Sequence, residues 1–164
     1  MTRTKSTDPR DRMGVFKRYN DVPPKHRLER YASTYEGRDV WAEFCTEHEY
    51  EQNDTDRYRT EVDRVGSDWT TFMADRPTHH ALATPDDVEA WCHDLLSSKS
   101  TRRSHDYWLR IRRFYDWLLW HPDHPHVYHP VLMAVVEGDA AGRIWDEKIG
   151  RWKQGRNSQT QGVE

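Results

Sequence analysis

The sequence holds no hydrophobic run approaching the roughly 18–20 residues that a membrane-spanning helix needs. Only 35% of its 164 residues are hydrophobic, and the mean hydropathy is −1.11. The charged opening from Met1 to Arg12 lacks the apolar centre of a secretory leader. These features predict a cytoplasmic protein with no membrane partner. Cysteine is nearly absent: Cys45 and Cys92 cannot build a disulfide framework, and a thiolate-rich metal site is equally out of reach. Lysine is scarce too, with six Lys against nineteen Arg. That bias fits either a GC-rich genome or a salt-adapted cytoplasm. No segment alternates with the two-residue period of a half-buried strand. What the chain has in plenty is aromatic residues: eight Trp, eight Tyr and four Phe. Each can bury roughly 150–250 Å², enough for one folded core beneath a polar surface.

A net charge of −3 excludes a polycation, but the charge is unevenly spread. Residues 1–30 carry nine basic and four acidic groups, and residues 31–98 carry five and sixteen. Residues 99–117 reverse the balance with six and two, and residues 118–164 carry five and six. Local fields steer a charged ligand, so the basic segment inside an acidic body matters more than the total.

Residues 1–22 lack apolar periodicity and read as a flexible basic tail. A single helical domain is expected over 23–153, followed by a flexible polar tail over 154–164. Within the domain, Ser33 and Glu36 have the spacing of a capping box, although Gly37 follows at once. Val40, Trp41, Phe44 and Cys45 then share a helical face. Asn53, Asp54 and Thr55 form a break and N-cap cluster. A long helix follows to about Asp75, with Tyr58, Val62, Val65, Trp69, Phe72 and Met73 inward and Gly66 as a soft spot. Thr84-Pro85-Asp86-Asp87 combines a capping hydroxyl, a proline suited to the first helical position and two carboxylates at the positive helix end. Val88, Trp91, Cys92, Leu95 and Leu96 make the next stripe. A short turn leads to a basic helix reaching Trp120, with Tyr107 or Trp108, Ile111, Phe114, Tyr115 and Leu118 inward. A His/Pro loop precedes two more helices. The second has Ile144, Trp145, Ile149 and Trp152 as its apolar face, either core or a docking stripe. The fold class is all-α.

The order Tyr58, Trp69 to Phe72, Ala83 to Val88, Trp91, Leu95, Ser98 to Thr101, Ile111, Phe114-Tyr115, Trp117-Leu118 and His129-Pro130 resembles the N-terminal core-binding (SAM-like) domain of the tyrosine recombinases, the phage-integrase family. The likeness covers residues 55–130 and departs from the family at His129, where Asn is usual. It implies a compact helical bundle of that type, here with extra N- and C-terminal helices. It also implies double-stranded DNA as partner, with a catalytic recombinase or a second copy of this chain as further partners. The family's chemistry needs a separate domain carrying Arg, Lys, His and a tyrosine nucleophile. Only 34 residues follow Pro130 and no His-x-x-Arg occurs, so no enzyme activity and no cofactor are expected. The role implied is non-catalytic DNA binding linked to site-specific recombination or integration of a mobile element, or to its regulation. The alternative is a helical protein-interaction module without a nucleic-acid role.

The resemblance lays the start and outer face of the basic helix against DNA, which makes Lys99, Ser100, Thr101, Arg102, Arg103, His105, Arg110 and Arg113 the candidate contacts, with Asp106 among them. At 100° per residue Arg102, Arg103, Arg110 and Arg113 can share a broad face, and Arg112 falls on its flank. Guanidinium groups pair bidentately with phosphate or guanine, and amides at a helix N-terminus add phosphate donors. The same arginines could instead pair with acids of helix 56–75, leaving a merely solvated basic face. Other signals carry less. His121, His124, His126 and His129 have ligand-like spacing, yet prolines fix such a loop without a metal, and none is expected. Cys45 and Cys92 read as buried small hydrophobes. The acidic run Glu47, Glu49, Glu51, Asp54 and Asp56 reads as solvated.

Overall fold

The structure, a computed structural model, describes residues 6–53 and 55–161, with side chains as far as Gly150. Asp54, the Trp152 side chain and the ends 1–5 and 162–164, to which readings above refer, lie outside what is described. The chain is all-helical: α1 (Ala32–Tyr35), α2 (Val40–Phe44), α3 (Tyr50–Gln52), α4 (Asp56–Ala74), α5 (Pro85–Ser98), α6 (Thr101–Trp120), α7 (Pro130–Glu137) and α8 (Asp139–Gln161). Short 3₁₀ turns precede α1, a π-helical turn over Cys45–Glu49 joins α2 to α3, and no strand occurs among the described residues.

Local chemistry starts the long helices where the sequence places them. The Thr55 hydroxyl accepts from the Tyr58 amide at 3.2 Å, and the Ser100 hydroxyl from the Arg103 amide at 3.1 Å. At α5 the capping box is complete: Thr84 Oγ1 accepts from the Asp87 amide, and Asp87 Oδ2 accepts from the Thr84 amide. One start differs from expectation. Ser33 and Glu36 form no cap; α1 is a single turn, and Gly37 at φ +77° reverses the chain in a conformation that disfavours other residues. Asp39 beyond it caps α2 instead, accepting from the Ala42 amide at 3.0 Å. The start of α8 is capped from another helix, with Glu89 of α5 accepting from the Ala140 and Ala141 amides at 2.6 and 2.9 Å.

The ends also differ from the expected tails. Met13 and Val22 are buried in the core, Pro9–Arg12 packs on α7, and the Trp145 indole donates to the Thr7 carbonyl at 3.1 Å. Residues 6–22 are therefore a strap anchored by two apolar side chains. At the other end α8 continues through 154–161, a stretch without proline to stop it. Ile144 and Trp145 are core residues.

Helix α6 lies at the centre, packing against α2, α4, α5, α7 and α8, with Tyr107, Trp108, Ile111, Phe114, Tyr115 and Leu118 all buried. The link between α4 and α5 is tied to both of its walls. The His80 carbonyl accepts from Trp69 Nε1 of α4 at 3.1 Å and from the Tyr115 hydroxyl of α6 at 3.0 Å, while that hydroxyl accepts from the Ala83 amide at 2.9 Å. A cluster of histidines gathers around this link. His80 Nε2 accepts from the Trp41 amide, and His79 Nδ1 accepts from the Ala81 amide while its Nε2 donates to the Arg38 carbonyl. His126 donates to the Ala81 carbonyl at 2.6 Å, and the Tyr35 hydroxyl meets His124 Nδ1 at 2.5 Å. At His79 and His80 the neutral ring is the form that fits, because a second ring proton would face an N–H group, and His126 Nδ1 is buried with no acceptor for one.

A Cβ on Gly66 would stand 2.0 Å from Trp41 Nε1 and 2.3 Å from its Cε2, so the soft spot is a seat for an indole. Gly66→Ala should therefore destabilise the fold by about 1–3 kcal/mol despite its better helix propensity, read as a lower urea midpoint. Burial drives the pKa of His80 and of His126 down to about 4, and lowers those of His79 and His124. Arg38, His121, Asp39, Glu43 and Asp123 also bear on the cluster. The histidines fold neutral but are protonated when unfolded below about pH 6.5. Stability is full above that pH and should fall as pH drops toward 4, at about 1.4 kcal/mol per pH unit for each histidine that titrates. Urea unfolding between pH 7.5 and 4.5 checks this.

Candidate functional site

On α6 the residues Arg103, Asp106, Arg110, Arg113, Trp117 and Trp120 recur at alternating intervals of three and four and so form one stripe along the helix. The first four face α4, whose Arg57, Thr60, Glu61 and Arg64 share the opposing surface at i, i+3, i+4 and i+7. Between the two helices runs an open groove of about 680 Å³. Five arginines line it against two carboxylates, Glu61 and Asp106.

The pairing of these charges divides the arginines. Arg103 makes a fork to Glu61, with Nη1 to Oε1 at 2.6 Å and Nη2 to Oε2 at 3.0 Å. The fork holds the Glu61 carboxyl below the usual carboxylate range and raises the pKa of Arg103. Arg64 reaches the same carboxylate at 3.6 Å and stays largely exposed. Arg110 is mostly covered: its side chain is 17% exposed, it lies over the Tyr58 ring, and Nη1 stands 3.6 Å from Glu49 Oε2. Arg57 and Arg113 are exposed and make no ion pair among the described residues.

The eight expected contacts are thus dispersed. Arg103, Arg110 and Arg113 come together in the groove. Ser100 is exposed, but its hydroxyl is engaged as the α6 cap. Thr101 begins the helix half-buried, and Lys99 folds over the Tyr107 ring at 4.9 Å. Arg102 is exposed but does not line the groove. His105 is a correction: it is 6% exposed beside Trp108, so it offers no surface to a ligand. It shares its side of α6 with Arg112, which is covered by the Trp108 and Trp145 rings and whose pKa burial lowers. Glu49 is a second correction. Within a run that reads as solvated it is 2% exposed, and it accepts from the Tyr58 hydroxyl.

Arg57 and Arg64 are the residues that sequence reasoning missed. Their seven-residue spacing on the face opposite Val62, Val65 and Trp69 was the available signal, hidden because their segment is acidic overall. The four loop histidines turn to different partners: His121 to Glu47, His124 to Tyr35, His126 to Ala81, and His129 to Asp116 at 2.8 Å. Among the described residues no three His, Cys, Asp or Glu side chains converge as a metal-ligand set. Both cysteines are buried, with thiol pKa values raised by burial. No family model, no curated protein and no solved structure matches the chain.

The covered pair makes a prediction. Glu49→Gln removes the charge that faces Arg110 while keeping the shape, and should destabilise the fold by about 1–3 kcal/mol. Adding Arg110→Met should recover part of that loss, as measured by a double-mutant cycle in urea.

Proposed function

We propose that this chain is a non-catalytic DNA-binding protein that takes the phosphate backbone into the groove between α4 and α6. The observation that carries the reading is the excess of arginine there, five against two carboxylates, on two rigid helices. Glu61 offsets part of that charge but also fixes the Arg103 fork, so the exposed working cations are Arg57, Arg64 and Arg113. Guanidinium groups on both walls of one groove match a row of phosphates. The likeness of residues 55–130 to an integrase core-binding domain supports the same reading. It extends the reading to a role in recombination or integration of a mobile element, with a separate recombinase supplying chemistry.

A helical protein-interaction module is the second reading. The internal pairing of Arg103 and Arg110, two of the arginines that the sequence offered to DNA, favours it. A salt titration separates the two. If three phosphates are neutralised, log affinity for a blunt duplex should fall with log salt at a slope near −2.7. Changing Arg57, Arg64 and Arg113 together to Ala should abolish most of that slope. No duplex binding by the parent chain at about 50 mM salt, or an unchanged slope in the triple variant, overturns the DNA reading.

A further inference from the structure

The α6 stripe continues past its charges. Trp120 is 87% exposed, while every other tryptophan with a described side chain is buried or half-buried. It borders a second cleft of about 470 Å³, with Trp117 on the same helix and Gln52 and His48 across from it. Arg113 lines this cleft as well as the arginine groove, so the two adjoin at that side chain. From Arg113 to Trp120 is seven residues, nearly two turns and about 10 Å along the axis. That is the length of about three stacked nucleotides at 3.4 Å each.

The chemistry of the cleft suits a nucleobase. A free indole face stacks on any base. Gln52, Asp116 and Arg113 offer donors and acceptors to a base edge, where a protein anchor would need continuous apolar area. A base pair inside a duplex has both faces covered by its neighbours, so the face that meets the indole belongs to a terminal pair or to an unpaired base, and only the unpaired base can also turn its edge to the polar groups of the cleft. The geometry points to Trp120 as the stacking platform for an unpaired base at a duplex–single-strand junction. Duplex phosphates then occupy the arginine groove, and the strand that emerges passes Arg113 to reach the indole. This rests on the DNA reading above and narrows it to DNA ends or openings.

The test uses the full chain and two labelled DNAs, a blunt duplex and the same duplex with a short oligo-dT overhang, at one salt concentration. The overhang should tighten binding by roughly 5- to 150-fold, the equivalent of about 1–3 kcal/mol for a base–aromatic stack. Trp120→Ala should erase that difference, and Trp120→Phe should keep part of it. An overhang that adds nothing overturns the proposal, as does a gain that survives in Trp120→Ala. Failure of the parent reading looks different: blunt duplex either does not bind or binds equally well after Arg57, Arg64 and Arg113 are changed.

Discussion

The carbonyl oxygen of His80 receives a hydrogen bond from each of two helices, through Trp69 of α4 and Tyr115 of α6. Both of its lone pairs are used, and a buried acceptor satisfied on both sides is costly to disturb. The link between α4 and α5 is thereby pinned to both of the helices that wall the groove. Trp41, Arg38 and His126 attach to the same short stretch through the histidine rings and the Ala81 carbonyl. The two arginine-bearing helices are thus joined by uncharged contacts through this link, in addition to the Arg103–Glu61 fork that bridges the groove itself.

Charge in this molecule is divided between structure and surface. Arg112 is covered by aromatic rings and Asp116 meets His129, while Arg110 is set against Glu49 and Tyr58. Arg112, His129, Arg110 and Glu49 are largely covered, so removing the group that faces one of them would strand it in a poorly solvated place. Arg57, Arg64 and Arg113 sit where water reaches them, and an incoming anion replaces solvent without first breaking a buried bond. The same helix therefore contributes to cohesion on one flank and offers unspent charge on another.

What could be read from the sequence was local. Thr55, Thr84 and Ser100 announce α4, α5 and α6 because a cap is a bond between residues two or three apart, and the inward stripes follow because helical period is intrinsic. What could not be read depends on which helix lies opposite. Ser33 and Glu36 have the spacing of a cap but form none, and Asp39, which follows the reversed turn at Gly37, caps α2. Glu49 looks solvated among its acidic neighbours until Tyr58 and Arg110 close over it. His105 looks outward until α8 places Trp145 against Trp108 on its side of α6. Met13 and Val22 are too isolated to create periodicity, yet each finds a place in the core. The groove itself required knowing that Arg57 and Arg64 face Arg103 and Arg113, which no property of either helix alone reveals.

The contact between Gly66 and the Trp41 indole joins positions on two helices into one steric unit. The missing side chain at one is the space that the ring at the other occupies, so neither can drift alone. In a lineage descended from this protein, a larger residue at 66 should persist only beside a smaller ring at 41. Such paired replacement would trace the α2–α4 contact through generations even where the rest of the surface had diverged.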